Sequence, residues 1–265
     1  MGIAPERGAA LMDGYARSAI AIILGRAGSK GLPRKNVLPV AGKPCVQWTI
    51  EAAQRSGIVR EVVVSSDDQE VLSIARALIA RAIDRPEALA GDTATVDAAA
   101  RHAVAELERA GGSPLPSAQP IVILYANVPV RPPDLIDRAV AMLSEQRADS
   151  VQSYAPVGKY HPWWMARVDS ATGMVSPWEG DVLNHGVFRR QDLPPAFVPD
   201  GGVIVVTRQA LMLEIPDVPP LTGPHAFFGR EDRRRGMING AGTVIDIDTR
   251  ADMMVAEAIL STRAR

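Results

Sequence analysis

At 265 residues with 47% hydrophobic content, the chain is long enough for one large domain with an appendage, and its net charge of −1 withholds the broad basic surface that a nucleic-acid or anionic-membrane partner requires. No apolar run reaches the length of a membrane span, and Met1 to Ser18 lacks the apolar centre of a secretory signal, so neither membrane nor export is expected. A single cysteine, Cys45, rules out an internal disulfide framework, fits a reducing cytoplasm, and reads as a small buried side chain rather than a nucleophile.

In chain order, Ala19 to Leu24 is a continuous apolar run, the pattern of a parallel strand buried on both faces. It opens into Gly25-Arg26-Ala27-Gly28-Ser29-Lys30-Gly31-Leu32-Pro33-Arg34-Lys35-Asn36. Three of the chain's four lysines, Lys30, Lys35 and Lys43, fall in or just beyond this stretch. Its glycines let backbone N–H groups approach an anion while Arg26 and Lys30 supply charge, so a nucleotide's phosphates are expected here. Two familiar phosphate loops are excluded by spacing. Ser29-Lys30-Gly31 reverses the Gly-Lys-Ser/Thr order of the Walker loop, and Gly25-Arg26-Ala27 breaks the dinucleotide fingerprint.

A helix is predicted from Pro44 to about Ser56, with proline at its first position and Gly57 at its end. Glu61 to Ser65 reads as a strand. Asp67 or Asp68 would cap the next helix, which carries Val71, Leu72, Ala75 and Leu78 at helical spacing to about Arg81. A third helix is expected over Val96 to Arg109, broken by Gly111-Gly112-Ser113-Pro114 before a strand at Ile121 to Tyr125. Pro133 to Arg147 is helical in pattern and Ser150 to Tyr154 is the next strand. Strands at Gly202 to Val206 and Val244 to Ile247 and a helix from about Arg250 to Arg263 close the chain. This alternation predicts the α/β class: a doubly wound, mostly parallel sheet flanked by helices.

Between Pro156 and Pro199 the periodicity is lost and aromatics collect: Tyr160, Trp163, Trp164, Trp178, Phe188 and Phe197. They form either a lobe that packs on itself or a dimer arm, since aromatics are enriched at interface cores. The expected organisation is an extension over 1–18 and one domain over 19–265, with 156–199 inserted for dimerisation and sugar binding. Asp246 and Asp248, two apart on an extended segment, point the same way and can converge on one metal ion; the competing reading is a helix cap by Asp248 or Thr249.

The stretch after the first strand resembles the N-terminal motif of the acylneuraminate cytidylyltransferases, the CMP-sialic acid synthetases, written A-R-x-G-S-K-G-[IL]-P-x-K-N. Arg26, Gly28, Ser29, Lys30, Gly31, Leu32, Pro33, Lys35 and Asn36 match; Gly25 and Ala27 stand where Ala and often Gly are usual. The likeness continues in order. Arg85-Pro86-Glu87-Ala88-Leu89-Ala90-Gly91-Asp92-Thr93-Ala94 resembles R-P-x-x-L-A-x-D-x-A. Ile123-Leu124 with Pro129-Val130-Arg131 fits the frame of L-L-Q-P-T-S-P-L-R. His161-Pro162 and Arg190-Gln191-Asp192-Leu193-Pro194-Pro195-Ala196-Phe197 resemble the R-x-x-L-P-x-x-[FY] stretch, and Ile245-Asp246-Ile247-Asp248-Thr249 matches I-D-I-D-T.

The resemblance implies a Rossmann-like nucleotidyltransferase fold and transfer of CMP from CTP to the anomeric hydroxyl of an acidic keto-sugar, with release of pyrophosphate. It implies magnesium (Mg2+) held by Asp246 and Asp248, and triphosphate contacts from Arg26, Ser29 and Lys30 in a loop that includes Ala27 and Gly28. Asn36 and Arg85 would belong to the cytidine pocket; Lys35 would assist them or form a surface ion pair. Arg26, Lys30 and Asp248 would carry catalysis, the sugar hydroxyl being activated by the metal beside Asp248. Arg190 would grasp the sugar carboxylate while Arg189 stays solvated, and His161 would orient a sugar hydroxyl or be structural. A homodimer is implied, one subunit's lobe reaching the other's sugar site.

Departures gather around the sugar. Tyr125-Ala126-Asn127-Val128 replaces Gln-Pro-Thr-Ser, placing Tyr125 and Asn127 in the sugar site, and Asp200-Gly201-Gly202 stands for Asn-Gly-Ala. The acceptor expected is therefore sialic acid, a related nonulosonic acid or another acidic sugar. Two alternatives stay open: a same-fold enzyme with another acceptor, such as a 3-deoxy-octulosonate cytidylyltransferase, and a catalytically silent nucleotide-binding protein. The former tends to carry Ser-Thr-Arg-Leu-Pro where this chain has Ser29-Lys30-Gly31-Leu32-Pro33.

Overall fold

The computed structural model describes residues 18–28, 31–219 and 228–263. The run Ala19–Leu24 forms β1 and is buried throughout. Its pleat sends Ala19, Ala21 and Ile23 into one core and Ile20, Ile22 and Leu24 into the other, so the strand carries no polar face. β2 (Pro39–Val40) and β3 (Lys43–Pro44) make a tight hairpin whose turn residues, Ala41 and Gly42, both have positive φ, as the strand twist demands.

There follow α1 (Cys45–Arg55), β4 (Val59–Ser66), α2 (Gln69–Ala77), β5 (Arg81–Asp84), α3 (Val96–Gly111), β6 (Pro120–Tyr125), α4 (Leu135–Glu145) and β7 (Ser150–Pro156). A lobe containing the hairpin β8 (Ala166–Val168) and β9 (Val175–Pro177) precedes β10 (Phe197–Thr207), α5 (Arg208–Leu211), β11 (Arg234–Ile238) and α6 (Arg250–Arg263).

Seven strands form the central sheet in the order β11-β7-β10-β6-β1-β4-β5. All run the same way except β10, which is antiparallel to both its neighbours. That reversal follows from connectivity: β7 leaves the sheet at its carboxyl end, and the chain re-enters from that end after the lobe. Helices α1, α2 and α4 cover one face and α3 and α5 the other, giving the doubly wound, mostly parallel sheet expected from the alternation. A smaller third cluster seats Ala256 and Leu260 of α6 against Val40, Cys45, Val130 and Ile247. Cys45 is fully buried there, and burial pushes its thiol up to about 12, which leaves it protonated and unreactive.

Four expectations need correction. The second helix ends at Ala77, and Arg81 belongs to β5. Of its two expected caps Asp68 is the one used, its carboxylate accepting from the Glu70 N–H. Val244 to Ile247 is no strand: it makes a single bridge, Val130 to Ile245, as it crosses the carboxyl edge of the sheet. The last sheet strand is instead β11, and the strand expected at Gly202 begins at Phe197. Within β10, Asp200 to Val203 bulges between the pairs Pro199–Tyr154 and Ile204–Gln152. A Cβ on Gly202 would lie 2.9 Å from both Leu135 and Ser153, so the bulge packs too tightly there for a side chain. Residues 1–17 of the expected extension lie outside the described residues.

Candidate active site

Chain direction decides where a site can form. β1 is followed by β4 on one side, while α3 crosses to the other face and delivers β6 to β1's opposite side. The loops after β1 and β6 therefore part at their carboxyl ends, which is where open α/β sheets bind ligands. A cavity of about 320 Å³ occupies that position, lined by Gly25, Arg26, Lys35 and Asn36 after β1, Arg85, Leu89 and Asp92 after β5, and Tyr125 and Asn127 after β6. Thr95, Val96 and Ala99 bring the N-terminus of α3, the positive end of its dipole, to the same wall, which favours an anion.

The loop after β1 is held open by its neighbours. Ala27 N–H donates to Asp67 Oδ1 at 2.9 Å, and Asn36 Nδ2 donates to the Arg26 carbonyl at 2.9 Å. Arg26 Nη1 pairs with Asp92 Oδ1 at 2.9 Å across the cavity mouth, both side chains about half exposed. Gly28 lies in open space; Ser29 and Lys30 lie outside the described residues. Arg85 is buried on the cavity floor, donating from Nε to Ser65 Oγ at 3.2 Å and from Nη2 to the Ser65 carbonyl at 2.5 Å. Burial, offset by Asp67 and aided by Arg26, lowers its guanidinium to about 10, so it stays charged at neutral pH.

The acidic segment meets this basic loop directly. Lys35 Nζ reaches Asp248 Oδ1 at 2.5 Å, and a Cβ on Gly31 would fall 2.7 Å from the Asp248 carbonyl oxygen. Asn127 Nδ2 donates to Asp246 Oδ1 and to the Ile247 carbonyl. Burial and the neighbouring Asp248 carboxylate raise Asp246 to about 6, and Lys35 opposes them. The cap of α6 is Thr249: its Oγ1 accepts from the Asp252 N–H, while Asp252 Oδ2 accepts from the N–H groups of Asp248 and Thr249. Asp248's carboxylate takes no part in the cap and pairs with Lys35 instead.

Tyr125 and Asn127, read as sugar contacts, stand on the wall shared with Arg26 and Lys35. The Tyr125 ring packs beside Gly201, and burial together with Asp246 pushes its phenol up to about 12. Asp200 is tied into the bulge: its carboxylate accepts from Ser153 Oγ at 2.5 Å, Gly202 N–H at 2.9 Å and Asn239 Nδ2 at 2.6 Å. Its charge is thus spent on protein donors.

The lobe residues stand apart from this cavity. His161 is buried with both ring nitrogens engaged: Nδ1 accepts from the Trp163 N–H and Nε2 lies 3.1 Å from the Pro194 carbonyl. That is the structural option for His161. Arg190 lies over Gly158 on the lobe surface, while Arg189 is bound bidentately by Asp192 at 2.6 and 3.0 Å. Neither His161 nor Arg190 lines the cavity. In sequence Asp92 stands out only as part of the R-P-x-x-L-A-x-D-x-A match and Asp67 only as a possible cap; the pairing of Asp92 with Arg26 and the charge of Asp67 beside Arg85 come from the fold.

The chain also resembles known proteins in sequence and in fold. The profile of a family described as cytidylyltransferase matches residues 20–173, over half of the chain. An N-acylneuraminate cytidylyltransferase of Streptococcus agalactiae is 30% identical over 199 residues, covering 74% of this chain and 45% of the relative, so the chain spans about half that protein's length. CMP-N,N'-diacetyllegionaminic acid synthase of Legionella pneumophila is 27% identical over 241 residues, 91% of this chain and 95% of the relative. Among solved structures, the CTP complex of CMP:2-keto-3-deoxy-manno-octonic acid synthetase superposes with a TM-score of 0.61 at 17% identity, covering 93% of this chain and 99% of that one, a likeness of fold. No described helix is long and apolar enough to cross a membrane. A nucleotide-sized cavity at the switch point, the basic loop that walls it, and a matching profile that begins at β1 and runs through both place the chain in the cytidylyltransferase family.

Proposed function

We propose that the chain transfers CMP from CTP to the anomeric hydroxyl of an acidic keto-sugar of the nonulosonic class, releasing pyrophosphate. The observation that carries the proposal is the meeting of the basic loop after β1 with the acidic segment before α6, through two cavity-lining residues: Lys35, which pairs with Asp248, and Asn127, which holds Asp246. The relatives named for neuraminate and legionaminic acid support the acceptor class.

Such a transfer aligns an oxygen nucleophile with the α-phosphorus and disperses charge as pyrophosphate leaves. In this reading Arg26, released from Asp92, counters the pyrophosphate together with Lys30 and Ser29. Arg85 and Asn36 shape the nucleotide pocket, fixed there by Ser65 and the Arg26 carbonyl. Among the described residues no cluster of three or more His, Cys, Asp or Glu side chains could hold a metal alone. Two carboxylates with a lysine ammonium already against one of them are a hard-oxygen donor set that suits magnesium completed by substrate phosphates. Asp246 and Asp248 would hold the ion, which when bound would neutralise triphosphate charge and make the acceptor hydroxyl more acidic. Asn127 keeps Asp246 turned toward that position.

We place the acceptor's carboxylate contact, Arg190, on a lobe that serves a second subunit. The lobe leaves Tyr160, Met165, Val168, Met174, Trp178 and Phe188 exposed, an apolar surface suited to a homodimer. The test is incubation with magnesium, each of the common ribonucleoside triphosphates, and a panel of keto-sugar acids, reading pyrophosphate and the product mass. Sustained release with CTP and a nonulosonic acid is expected. Tight CTP binding without release on any acceptor would refute the proposal.

A further inference from the structure

We propose that Lys35 is a resident cation of the acidic pair, neutralising Asp246 and Asp248 when no divalent ion is bound and moving to the triphosphate when that ion enters. The inference rests on the function proposed above and adds a role for a residue that reading left either as an assistant or as a surface pair.

Lys35 is a mostly buried partner of an exposed carboxylate. Its side chain is 16% exposed although that of Asp248 is 70% exposed, so the ammonium approaches the carboxylate from inside the protein. It sits 2.5 Å from Asp248 Oδ1, and its charge also reaches Asp246 and Asp252. It lines the nucleotide cavity as well, alongside Arg26 and Asn127. The Asp248 carboxylate repels that of Asp246, and Lys35 opposes that repulsion when no divalent ion is bound. A compact ammonium on four flexible methylenes can change partners without moving the backbone, which a guanidinium held as Arg85 is cannot do. An entering divalent ion competes with Lys35 for the charge of Asp248, whereas phosphate oxygens in the cavity offer the displaced ammonium a new anion. Metal and nucleotide binding are then coupled through one side chain, each favouring the other.

The experiment is Mn2+ titration without nucleotide, free ion read by electron paramagnetic resonance, on the wild type and on Lys35→Met, with CTP binding in EDTA measured on the same two proteins. Lys35→Met is expected to bind Mn2+ on the order of 10-fold more tightly and CTP on the order of 10-fold more weakly, within the usual range of coupling between sites. Equal or weaker Mn2+ binding by Lys35→Met overturns the inference while leaving the proposed function standing. Failure of the wild type to bind Mn2+ with or without CTP overturns the metal assignment and the inference with it. A second measurement needs no variant: amine acylation mapped by mass spectrometry, with Lys43 and Lys159 as internal references. Mn2+ should raise the labelling of Lys35 relative to both, and unchanged labelling at saturating Mn2+ overturns the inference.

Discussion

At the scale of single residues, the candidate site depends on how closely two distant segments approach. Gly31 is exposed, yet a methyl there would stand 2.7 Å from the Asp248 carbonyl oxygen, well inside any real Cβ contact. Backbone cannot yield as a side-chain tip does, so Gly31→Ala should push the acidic segment off the basic loop. Turnover is expected to fall by up to about 10²-fold, the loss that follows a displacement of about 1 Å among reacting groups. Circular dichroism and melting should stay near wild type, since no core residue is involved; unchanged turnover would show that the contact has no bearing on chemistry. The residue types of this pair were legible in sequence, basic near one end and acidic near the other. Their partners were not: that Lys35 takes Asp248, or that His161 turns both nitrogens into the lobe, is fixed by rotamers and loop paths that spacing does not encode.

At the scale of elements, helix ends show where the fold holds strain. α3 stops on Gly112 with φ +73°, the usual left-handed terminator. α2 closes the same way on Ile79: the Ala80 N–H returns to the Ala75 carbonyl and the Ile79 N–H to that of Arg76, with Ile79 at φ 60°. A β-branched residue is poorly suited to that conformation, and with 93% of its surface exposed it regains nothing from packing. Ile79→Gly should stabilise the protein by up to about 1 kcal/mol after the extra freedom glycine gives the unfolded chain, read as an upward shift in melting temperature.

A second element-scale device joins α3 to α5. Arg208 donates to Glu108 at 2.6 Å and also pairs with Glu214. The hydrogen bond from Arg208 holds Glu108 below its ordinary carboxylate value of 4.5. A depressed acid contributes its stability fully above its unfolded value and loses it as pH falls through the folded one. Glu108→Gln should therefore cost about 1–3 kcal/mol at neutral pH and flatten the stability profile below about pH 4.5; an unaltered acid limb would exclude the pair as its source. Sequence legibility followed the same physics. β1 and β6 are apolar runs buried along nearly their whole length, and β4 carries the apolar run Val62 to Val64, while the edge strand β11, Arg-Arg-Gly-Met-Ile, keeps polar residues and was missed. Ile245-Asp246-Ile247 alternates like a strand, but it crosses the sheet's edge to reach the site and cannot pair along its length.

At the scale of the whole molecule, one chain leaves the proposed chemistry divided. The cavity gathers Arg26, Lys35, Arg85, Asp246 through Asn127, and Asp248 through Lys35, yet Arg190 lies on a lobe outside its walls. That lobe exposes Phe188 at 77% and Trp178 at 51%, surface that a second copy could bury. In a closed twofold dimer the lobe of each chain can complete the cavity of the other, and the two sites are then each built from both chains. Arg190→Ala and Asp248→Asn should each be nearly inactive as pure proteins, the first through acceptor binding, with a raised KM, and the second through the catalytic step. Coexpressed with different tags and purified through both, the mixed dimer carries one cavity with neither substitution and should recover activity that neither parent shows. Were Arg190 to serve its own chain's cavity, every site in the mixed dimer would carry a lesion and no recovery would appear.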